Sequence, residues 1–570
     1  MVNLLREGKS CFFPLFIICT FCLTIMAGFI GTLLPSLNYL PVMGYTSFSL
    51  SPWFDFFSWP GIQKSIFVTL FSGVTSSFCV AGFAFLFIAF THGSFLWKFF
   101  EKILSPVLSI PHAAFAVGFG FLITPSGWII RMISPSLTGF VNPPDWIILN
   151  DPAGITLTMA LVIKEFPFLI MVAMGALGQL DIEKTLLAGK ALGYKKEQIW
   201  LKVLIPGLYP HLRLSIFAVI AYSFSVVDMA ILLGPSSPPT LGVQILKWFN
   251  DPDMSFKLIA AAGSLSLFFM VILTIIFVYC LEKTLPFFLR AWITNTKRQS
   301  FISNFKWLIF LTGFFIIAVT IISSVVLVIW SFSWQWRFPS FLPGAWTFQF
   351  WAKGLAGCFD SVTTTLITGI AAALMGLLLI IGCLEHDVES HKNKTRNYNK
   401  IMQFFLYLPL LIPQITFMAG IQLFLVIMNM DGVWITLVWS HMLFVLPYIF
   451  IALGATYSAF DQRMTDQAIL LRRSYTLSLF KVKLPMLLKP ILFAFAIGFS
   501  VSVAQYIPTM LVGAGRFSTI TTQVVNIASG SDRRILAVYA LIQQGLPMMI
   551  YAFAIIFPKI LYFNRKGMQV

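Results

Sequence analysis

Long apolar runs constrain this chain more than any other feature of its sequence. Runs of about 20 residues with few charges recur along the chain, and an α-helix needs that length to cross a bilayer core of about 30 Å. Charged residues make up only 10% of the 570 residues, well below the usual share in soluble proteins. Because the runs are continuously apolar, they predict helices and not the alternating strands of a membrane barrel. The predicted fold class is therefore all-α, as a polytopic membrane protein.

About twelve such spans can be counted by this length criterion, six in each half of the chain. In the first half they lie near 12–34, 65–90, 108–130, 153–178, 210–233 and 257–281, and in the second near 307–330, 361–384, 402–428, 433–457, 489–512 and 536–560. The charged stretch between the sixth and seventh spans predicts a linker. The sequence thus predicts a first half from 1 to 285, a linker from 286 to 306 and a second half from 307 to 570.

Lys and Arg concentrate in alternate connections between the spans. The loops rich in them, besides both termini, lie near 97–102, 181–202, 282–306, 385–400 and 461–489. Cytoplasmic loops carry such an excess, so these loops and both termini are predicted to lie in the cytoplasm. Arg516, Arg533 and Arg534 are exceptions in the last outer loop. The formal net charge of +17 is spread between spans rather than gathered in one patch, so no nucleic-acid partner is predicted.

Short motifs from the first half recur in the second. Ser65-x-x-x-Thr69 returns as Ser361-x-x-x-Thr365, Ile110-Pro111-His112 as Ile412-Pro413-Gln414, Phe166-Pro167-Phe168 as Leu446-Pro447-Tyr448, and Thr240-Leu241 as Thr519-Ile520. An even number of spans in each half gives both copies the same orientation. Internal repeats are typical of transporters, with the pathway at the interface between the copies.

A polar, basic segment also occurs once in each half, between the fourth and fifth spans. The first copy ends L-A-G-K-A-L-G-Y-K-K-E-Q-I-W-L-K-V-L-I-P at Pro206, and the second reads D-Q-A-I-L-L-R-R-S-Y-T-L-S-L-F-K-V-K-L-P and ends at Pro485. Leu192 and Leu471 stand at the same distance before these prolines. A polar segment repeated at one position in two apolar halves predicts a pair of binding sites for a cytoplasmic partner.

Both segments resemble the cytoplasmic coupling loop of binding-protein-dependent ABC importer permeases, whose pattern is Glu-Ala-Ala, a following Gly and a closing Ile-x-Leu-Pro. The residues that this resemblance assigns to ATPase coupling are Glu183, Ala188, Gly193, Ile205 and Pro206 in 183–206, and Asp466, Ala468, Arg472, Leu484 and Pro485 in 466–485. Leu187 occupies the acidic position of the first copy, and Arg472 occupies the Gly position of the second. A residue other than Gly with positive φ costs on the order of 1 kcal/mol, so the two copies are not expected to be equivalent.

The resemblance covers nearly the whole chain and carries several implications. It implies two fused permease halves with a type I importer fold, from the branch that handles thiamine, ferric iron and related cargo. The stretch from Tyr506 to Gly530 is most similar to fused permeases grouped with thiamine uptake, which implies thiamine or a related small molecule as cargo. The implied partners are two copies of an ABC ATPase and a periplasmic or lipid-anchored solute-binding protein. The implied location is the bacterial cytoplasmic (inner) membrane.

The chain carries no nucleotide-binding signature of the form G-x-x-x-x-G-K-[ST]. ATP and Mg²⁺ are therefore expected on a separate ATPase, and no cofactor is expected in this chain. The seven cysteines form no paired C-x-x-C array, so no metal site is predicted. No nucleophile–base pair indicates catalysis, and the chain is predicted not to be an enzyme. An ion-coupled secondary transporter, which also uses internal repeats, is the alternative function.

Six polar residues inside the predicted spans are candidates for the translocation path: Lys164, Glu165, Asp228, His441, Gln505 and Tyr506. Ionisable groups within a membrane usually face a cavity or a partner, because exposing them to lipid costs about 2.5–3.5 kcal/mol each. Lys164 and Glu165 either line the path or make contacts that fix helix packing. Asp228 either meets cationic cargo or caps a helix. His441, Gln505 and Tyr506 carry the same two alternatives, path or packing.

Overall fold

The computed structural model describes residues 12–294, 306–392, 397–472, 474–530 and 532–563. These residues are mostly α-helical, and the single sheet found in them pairs two short antiparallel strands, β1 (Ser333–Gln335) and β2 (Ala345–Trp346). Within the described ranges, ten helices are long and apolar enough to cross a membrane, or up to twelve if two bent pairs each count as one span. The prediction of an all-α, polytopic membrane protein is confirmed.

The helices before the predicted linker are α1 (Phe12–Ser36), α2 (Ser51–Ser58), α3 (Ile62–Thr91), α4 (Phe95–Ser109), α5 (His112–Ile123), α6 (Trp128–Ile133), α7 (Ile155–Leu177), α8 (Ile182–Ala191), α9 (Lys196–Ile199), α10 (Ile205–Ser225), α11 (Asp228–Leu233), α12 (Leu241–Phe249) and α13 (Phe256–Thr294). A 3₁₀ turn covers Pro41–Met43 and a π-helical turn covers Trp200–Leu204. Helix α13 continues into the predicted linker 286–306, whose residues 295–305 lie outside the described residues.

The remaining helices are α14 (Lys306–Phe332), α15 (Gln349–Lys392), α16 (Asn397–Leu411), α17 (Gln414–Ile427), α18 (Trp434–Ser458), α19 (Gln462–Arg472), α20 (Tyr475–Ser478), α21 (Leu484–Met486), α22 (Leu488–Ala504), α23 (Ile507–Val512), α24 (Ile520–Ala528) and α25 (Arg533–Leu561). A second π-helical turn covers Leu479–Lys483. Helices α23 and α24 are the counterparts of α11 and α12 in the second part of the chain. Each begins and ends 279 residues after its counterpart (507 minus 228 for the first residues of α23 and α11).

Two of the predicted spans, 210–233 and 489–512, are each divided in the structure. Helix α10 ends at Ser225 and helix α22 ends at Ala504, and a short helix follows each break. The residues after these ends, Val226 and Gln505, have extended backbone with ψ of 128° and 114°. Neither Val226 nor Gln505 is a Gly or a Pro. The sequence therefore predicted one continuous span across each break. The predicted span 402–428 is also bent, by 100°, where Pro413 disfavours helical backbone in the preceding residue.

The first helix of each half packs against the other half. Helix α1 lies against α17, and helix α14 lies against α5. A Cβ added to Gly118 on α5 would lie 2.6 Å from the carbonyl oxygen of Ser323 on α14. A Cβ added to Gly31 on α1 would lie equally close to the carbonyl oxygen of Gly420 on α17. Small residues at such contacts let helix backbones approach closely in membranes. Each predicted half therefore contributes a helix that packs against the other.

A matched hydrogen bond ties the repeated motifs together within each half. Thr69 Oγ1 on α3 accepts a hydrogen bond of 2.8 Å from the backbone N–H of Leu241. Thr365 Oγ1 on α15 accepts one of 2.9 Å from the backbone N–H of Ile520. Both donors are first residues of short helices, whose first N–H groups lack partners within the helix. In each half the recurring Ser-x-x-x-Thr motif is therefore in contact with the recurring motif at Thr240-Leu241 or Thr519-Ile520.

Candidate functional site

The first repeated polar segment folds as a helix–turn–helix. Glu183 and Ala188 are exposed on α8, and the chain then turns at Gly193, whose φ is +83°. Helix α9 follows, and the π-helical turn leads into α10, where Ile205 and Pro206 are the first two residues. Gly is suited to the turn because it adopts positive φ without steric cost. The segment thus brings the predicted coupling residues to one end of the spans α7 and α10.

The second segment has the same order of elements with a different turn. Asp466 and Ala468 lie on α19, and that helix continues through Arg472 instead of turning at the residue that matches Gly193. Arg is a good helix former, so the helix extends where Gly interrupts it in the first copy. Ser474 then caps α20, with its side chain accepting a hydrogen bond from Leu477 N–H. The two copies therefore differ in the length of their first helix, which is longer in the second copy.

Both segments place a π-helical turn immediately before their closing aliphatic-Pro pair. Ile205 N–H bonds to the Trp200 carbonyl, and Leu484 N–H bonds to the Leu479 carbonyl, each five residues earlier. The following residue, Pro206 or Pro485, has no N–H to donate, so the regular helical pattern is interrupted there in any case. Single π-helical turns are rare and occur frequently at functional sites. Their recurrence at matched positions is a shared structural property of the two segments.

Large apolar side chains are exposed on, or directly after, the first helix of each segment. Leu187 and Leu192 are 68% and 66% exposed, and Leu470 and Leu471 are 80% and 86% exposed. Leu192 and Leu471 occupy matched positions before the closing prolines. These helices lie outside the ten candidate spans. Exposed apolar groups rimmed by polar residues are typical of surfaces that bind another protein.

The first segment contacts the end of α3 through a polar bond and aromatic packing. The Lys196 ammonium donates a hydrogen bond to the backbone carbonyl of His92, just after α3 ends. The His92 ring lies against the indole of Trp200, with centroids 4.9 Å apart. Burial and, next, the Lys196 charge lower the pKa of His92, so this imidazole is held in its neutral form near pH 7. The first segment is therefore joined to the end of α3 by a cation on a backbone carbonyl and by ring packing.

A buried charged cluster anchors the second segment to α15. Lys483 Nζ lies 2.5 Å from Glu385 Oε1, and the two side chains are only 1% and 5% exposed. The hydroxyls of Tyr457 and Tyr475 also donate to the Glu385 carboxylate. In the first segment Leu204 occupies the position of Lys483, so this ion pair has no matched counterpart there. Sequence reasoning missed this cluster, although a Glu at the end of the apolar run on α15 was a signal.

Five of the six path candidates line one cavity between the two halves. The cavity measures about 180 Å³, and its lining includes Lys164, Glu165, Asp228, Gln505 and Tyr506. His441 is not part of the lining. Its ring nitrogens lie 2.8 Å from Ser502 Oγ and 3.0 Å from Thr509 Oγ1, with 1% of the residue exposed. That geometry matches the packing alternative for His441.

Lys164 and Glu165 have separate partners, although they are adjacent on α7. Lys164 Nζ donates to the carbonyls of Ile110 at 2.5 Å and Val107 at 3.4 Å. Glu165 Oε1 lies 3.2 Å from Nε2 of His112, the first residue of α5. Adjacent helical residues project about 100° apart, which accounts for the divergence. His112 also lines the cavity, although sequence reasoning assigned no role to it. The Ile-Pro pair just before it was the sequence feature that could have identified it.

Asp228 and Gln505 lie beside the two helix breaks: Gln505 follows the end of α22, and Asp228 is the first residue of α11. Asp228 is 7% exposed at the start of α11, and it faces the same cavity as Lys164. Gln505 is 6% exposed, and its Oε1 atom is buried with no hydrogen-bond partner among the described residues. The breaks therefore bring polar groups from both halves to one cavity. Within the part of the chain that the structure describes, no group of three or more His, Cys, Asp or Glu is suited to hold a metal ion.

Comparison with known proteins agrees with this architecture. The chain is 29% identical over 525 residues to the inner membrane ABC transporter permease protein YnjC of Escherichia coli (strain K12), across 91% of this chain and 93% of that relative. No protein-family model matches the chain. The similarity over nearly the full length supports the ABC transporter permease family. Together with the apolar helices, it supports a multi-pass protein of the inner membrane.

Proposed function

We propose that this chain is the transmembrane permease of an ABC importer with a type I fold, in the branch that handles thiamine, ferric iron and related cargo. It passes a small solute, thiamine or a related molecule, that a periplasmic or lipid-anchored binding protein delivers to its outer face. ATP and Mg²⁺ bind to a separate ATPase, and the chain itself is no enzyme. The pair of matched segments, each with exposed leucines and a π-helical turn, carries this proposal.

Two matched segments suit two copies of one ATPase subunit. Each offers exposed leucines at its first helix, with Leu192 directly after α8 and Leu471 within α19. A helix seated in a cleft of the ATPase transmits rigid-body movement to the spans on either side of it. The first segment is tied to α3 by a Lys196 bond, whereas the second is tied to α15 by the buried Glu385–Lys483 pair. The two segments are thus joined to the spans by different chemistry.

The central cavity is the proposed translocation path. It lies where the two halves meet, and repeats of this kind carry the substrate site at their interface. Lys164, Glu165, Asp228, Gln505 and Tyr506 supply its polar lining. In this proposal both termini and both coupling segments lie in the cytoplasm, so that ATPase movement reaches the cavity through α7, α10, α18 and α22.

Affinity purification from native membranes tests the ATPase partnership. Tagged wild-type chain is expected to bring down a nucleotide-binding subunit, and the Leu192→Asp, Leu471→Asp double variant is expected to lose it. A charge placed in an apolar contact must be desolvated without a partner. Leu137→Asp is the matched control, because Leu137 is 82% exposed in the loop between α6 and α7. That loop contains no Lys or Arg, so it is predicted to lie on the side opposite the basic loops. Retention of the ATPase by the double variant, with the control unchanged, would refute the coupling role.

The same preparation separates this function from the ion-coupled alternative. An importer permease is expected to support ATP hydrolysis in proteoliposomes that also contain its ATPase, without any ion gradient. A secondary transporter is expected to accumulate solute when a gradient is imposed on vesicles that contain this chain alone. Gradient-driven accumulation without an ATPase would establish the alternative.

A further inference from the structure

We infer that Glu385 is a positioning residue for the second coupling segment, the stretch from Asp466 to Pro485. Its carboxylate fixes where this segment lies against α15 and α18, and thereby how the segment meets its ATPase subunit. The inference rests on the proposed function, because it adds a residue to the ATPase coupling assigned there. It is carried by four side chains that meet at one carboxylate, by the residues at the corresponding positions of the first half and by the different turns of the two segments.

The Glu385 carboxylate on α15 accepts hydrogen bonds from three other elements. Lys483 Nζ, on the second π-helical turn, lies 2.5 Å from Glu385 Oε1. The Tyr457 hydroxyl on α18 donates to Oε1, and the Tyr475 hydroxyl on α20 donates to Oε2. Helices α15 and α18 are candidate spans, whereas α20 and the π-helical turn belong to the segment. These four residues form a hub that joins the segment to two spans.

Burial makes the geometry of the hub specific. The side chains of Lys483 and Glu385 are 1% and 5% exposed, and Tyr457 is fully buried. Lys483 Nζ also lies 4.4 Å from the centre of the Tyr457 ring, within the range of a cation–π contact. Burying a charge is costly unless a partner and hydrogen bonds compensate for it in good geometry. Movement of the segment away from α15 would leave one charge buried without its partner, so the hub favours a single position of the segment.

The first half shows that the fold itself does not require the hub. Counting from the nearest matched motif of each helix gives the corresponding positions in the first half, which are Ala89, Leu177, Lys196 and Leu204. Three of these residues are buried and apolar, and Lys196 donates to a backbone carbonyl instead. Apolar residues often replace a buried ion pair without loss of stability. Stability alone therefore does not account for the hub in the second half.

The two segments also differ in what fixes their direction at the other end. In the first, the chain leaves α8 through Gly193, whose φ of +83° defines the turn. In the second, α19 continues through Arg472, the residue that matches Gly193. The second segment thus lacks a glycine at this position. The hub supplies, from the π-helical turn, the constraint that the glycine turn supplies in the first segment.

Native mass spectrometry of the purified chain, with the nucleotide-binding subunit that co-purifies with it, tests the inference by counting ATPase copies. The wild type is expected to carry two, and a wild type that carries none would refute the proposed function itself. Glu385→Gln with Lys483→Met removes both charges together. This charge-neutral pair is expected to stay folded and to bind one of the two copies at least about tenfold more weakly. Two copies bound as tightly as in the wild type would overturn only the present inference.

Combination with the leucine variants assigns the loss to one segment. Leu192→Asp, added to the charge-neutral pair, is expected to leave no ATPase bound, because both segments are then impaired. Leu471→Asp, added to the same pair, is expected to leave one copy, because both changes act on the second segment and their effects are not additive. Loss of the last copy on addition of Leu471→Asp would contradict an action of Glu385 through the second segment.

Glu282→Gln is the matched control for the loss of a carboxylate. Glu282 also accepts a hydrogen bond from a tyrosine, Tyr209 at 3.5 Å, and lies 3.4 Å from Arg213. These residues are on α13 and α10, outside both segments. The control is expected to keep both ATPase copies, as the wild type does.

Tyr475→Phe tests the inference even where the charge-neutral pair is unstable, because it removes one hydroxyl and leaves the ion pair. It is expected to weaken binding of one ATPase copy. In the chain alone, it is expected to accelerate hydrogen exchange of the backbone amides in α20 while those in α9 are unchanged. Unchanged exchange in α20, together with two tightly bound copies, would show that the hub does not position the segment.

Discussion

The ring of Phe168 on α7 meets the ring of Tyr448 on α18, with centroids 6.1 Å apart and planes inclined at 60°. Each follows a Pro of the repeated motif, Pro167 or Pro447, so the two residues occupy matched positions. A residue that touches its own counterpart lies at a two-fold axis. The approximate axis that relates the halves therefore passes between α7 and α18. The cavity lined by both rings is centred on the interface of the repeats.

This contact predicts a cross-link between the halves. A Phe168→Cys, Tyr448→Cys variant, with the native cysteines replaced, is expected to be joined by a short bis-maleimide. A protease site inserted within 286–306 then reports the result, because the cleaved halves stay together on a denaturing gel only when they are cross-linked. Each single-cysteine variant is the control. Halves that separate fully after treatment of the double variant would contradict the contact.

The Glu385–Lys483 pair predicts a large cost for neutralising one partner. Glu385→Gln leaves the Lys483 ammonium buried and uncompensated, which destabilises by about 3 kcal/mol in comparable cases. Asp181→Asn is the matched control, because its pair with Lys184 is mostly exposed and such pairs contribute little. Thermal unfolding in detergent measures both. A double variant, Glu385→Gln with Lys483→Met, is expected to recover stability. If Glu385→Gln unfolds no earlier than the control, the pair is not buried as described.

The matched hydrogen bonds of Thr69 and Thr365 predict similar losses in the two halves. Thr69→Val leaves the Leu241 N–H without its acceptor, and Thr365→Val does the same for Ile520. A buried donor left unpaired costs about 1–3 kcal/mol, and hydrogen exchange of these two amides is expected to accelerate. Thr363→Val is the control, since the exposed Thr363 hydroxyl bonds only within its own helix. Unchanged exchange at both amides would show that these bonds do not hold the short helices.

The crossing of α5 and α14 predicts that Gly118 tolerates no side chain. Gly118→Ala places a methyl group 2.6 Å from the Ser323 carbonyl oxygen, which forces the helices apart. Overpacking of this kind typically costs about 1–3 kcal/mol. Gly82→Ala on α3 is the control, because nothing lies within 4 Å of its added methyl group. Thermal unfolding is expected to separate the two variants, with only Gly118→Ala destabilised.

The sequence predicted the architecture because bilayer thickness fixes helix length. Continuous apolar runs located the spans, and matched motifs such as Ser65-x-x-x-Thr69 located the repeat. The breaks at Val226 and Gln505 were not predicted, because neither residue is a Gly or a Pro that would mark the end of a helix. Tertiary packing, not local propensity, ends those helices.

The site was partly predictable for the same reason. Charged residues inside apolar runs, such as Lys164 and Glu165, are conspicuous, and the structure places both on the cavity. Their partners are not conspicuous: His112 is 53 residues from Glu165 in the chain, and Lys483 is 98 residues from Glu385. Such pairs form only when the helices assemble, and no local pattern in the sequence records them.

Native mass spectrometry of the complex with its ATPase tests the central claim most directly. Two coupling segments predict one copy of this chain with two ATPase subunits. Leu192→Asp and Leu471→Asp, each alone, are expected to populate a complex with one ATPase subunit, and the double variant is expected to bind none. A wild-type complex with a single ATPase subunit, or a double variant that still carries two, would contradict the account.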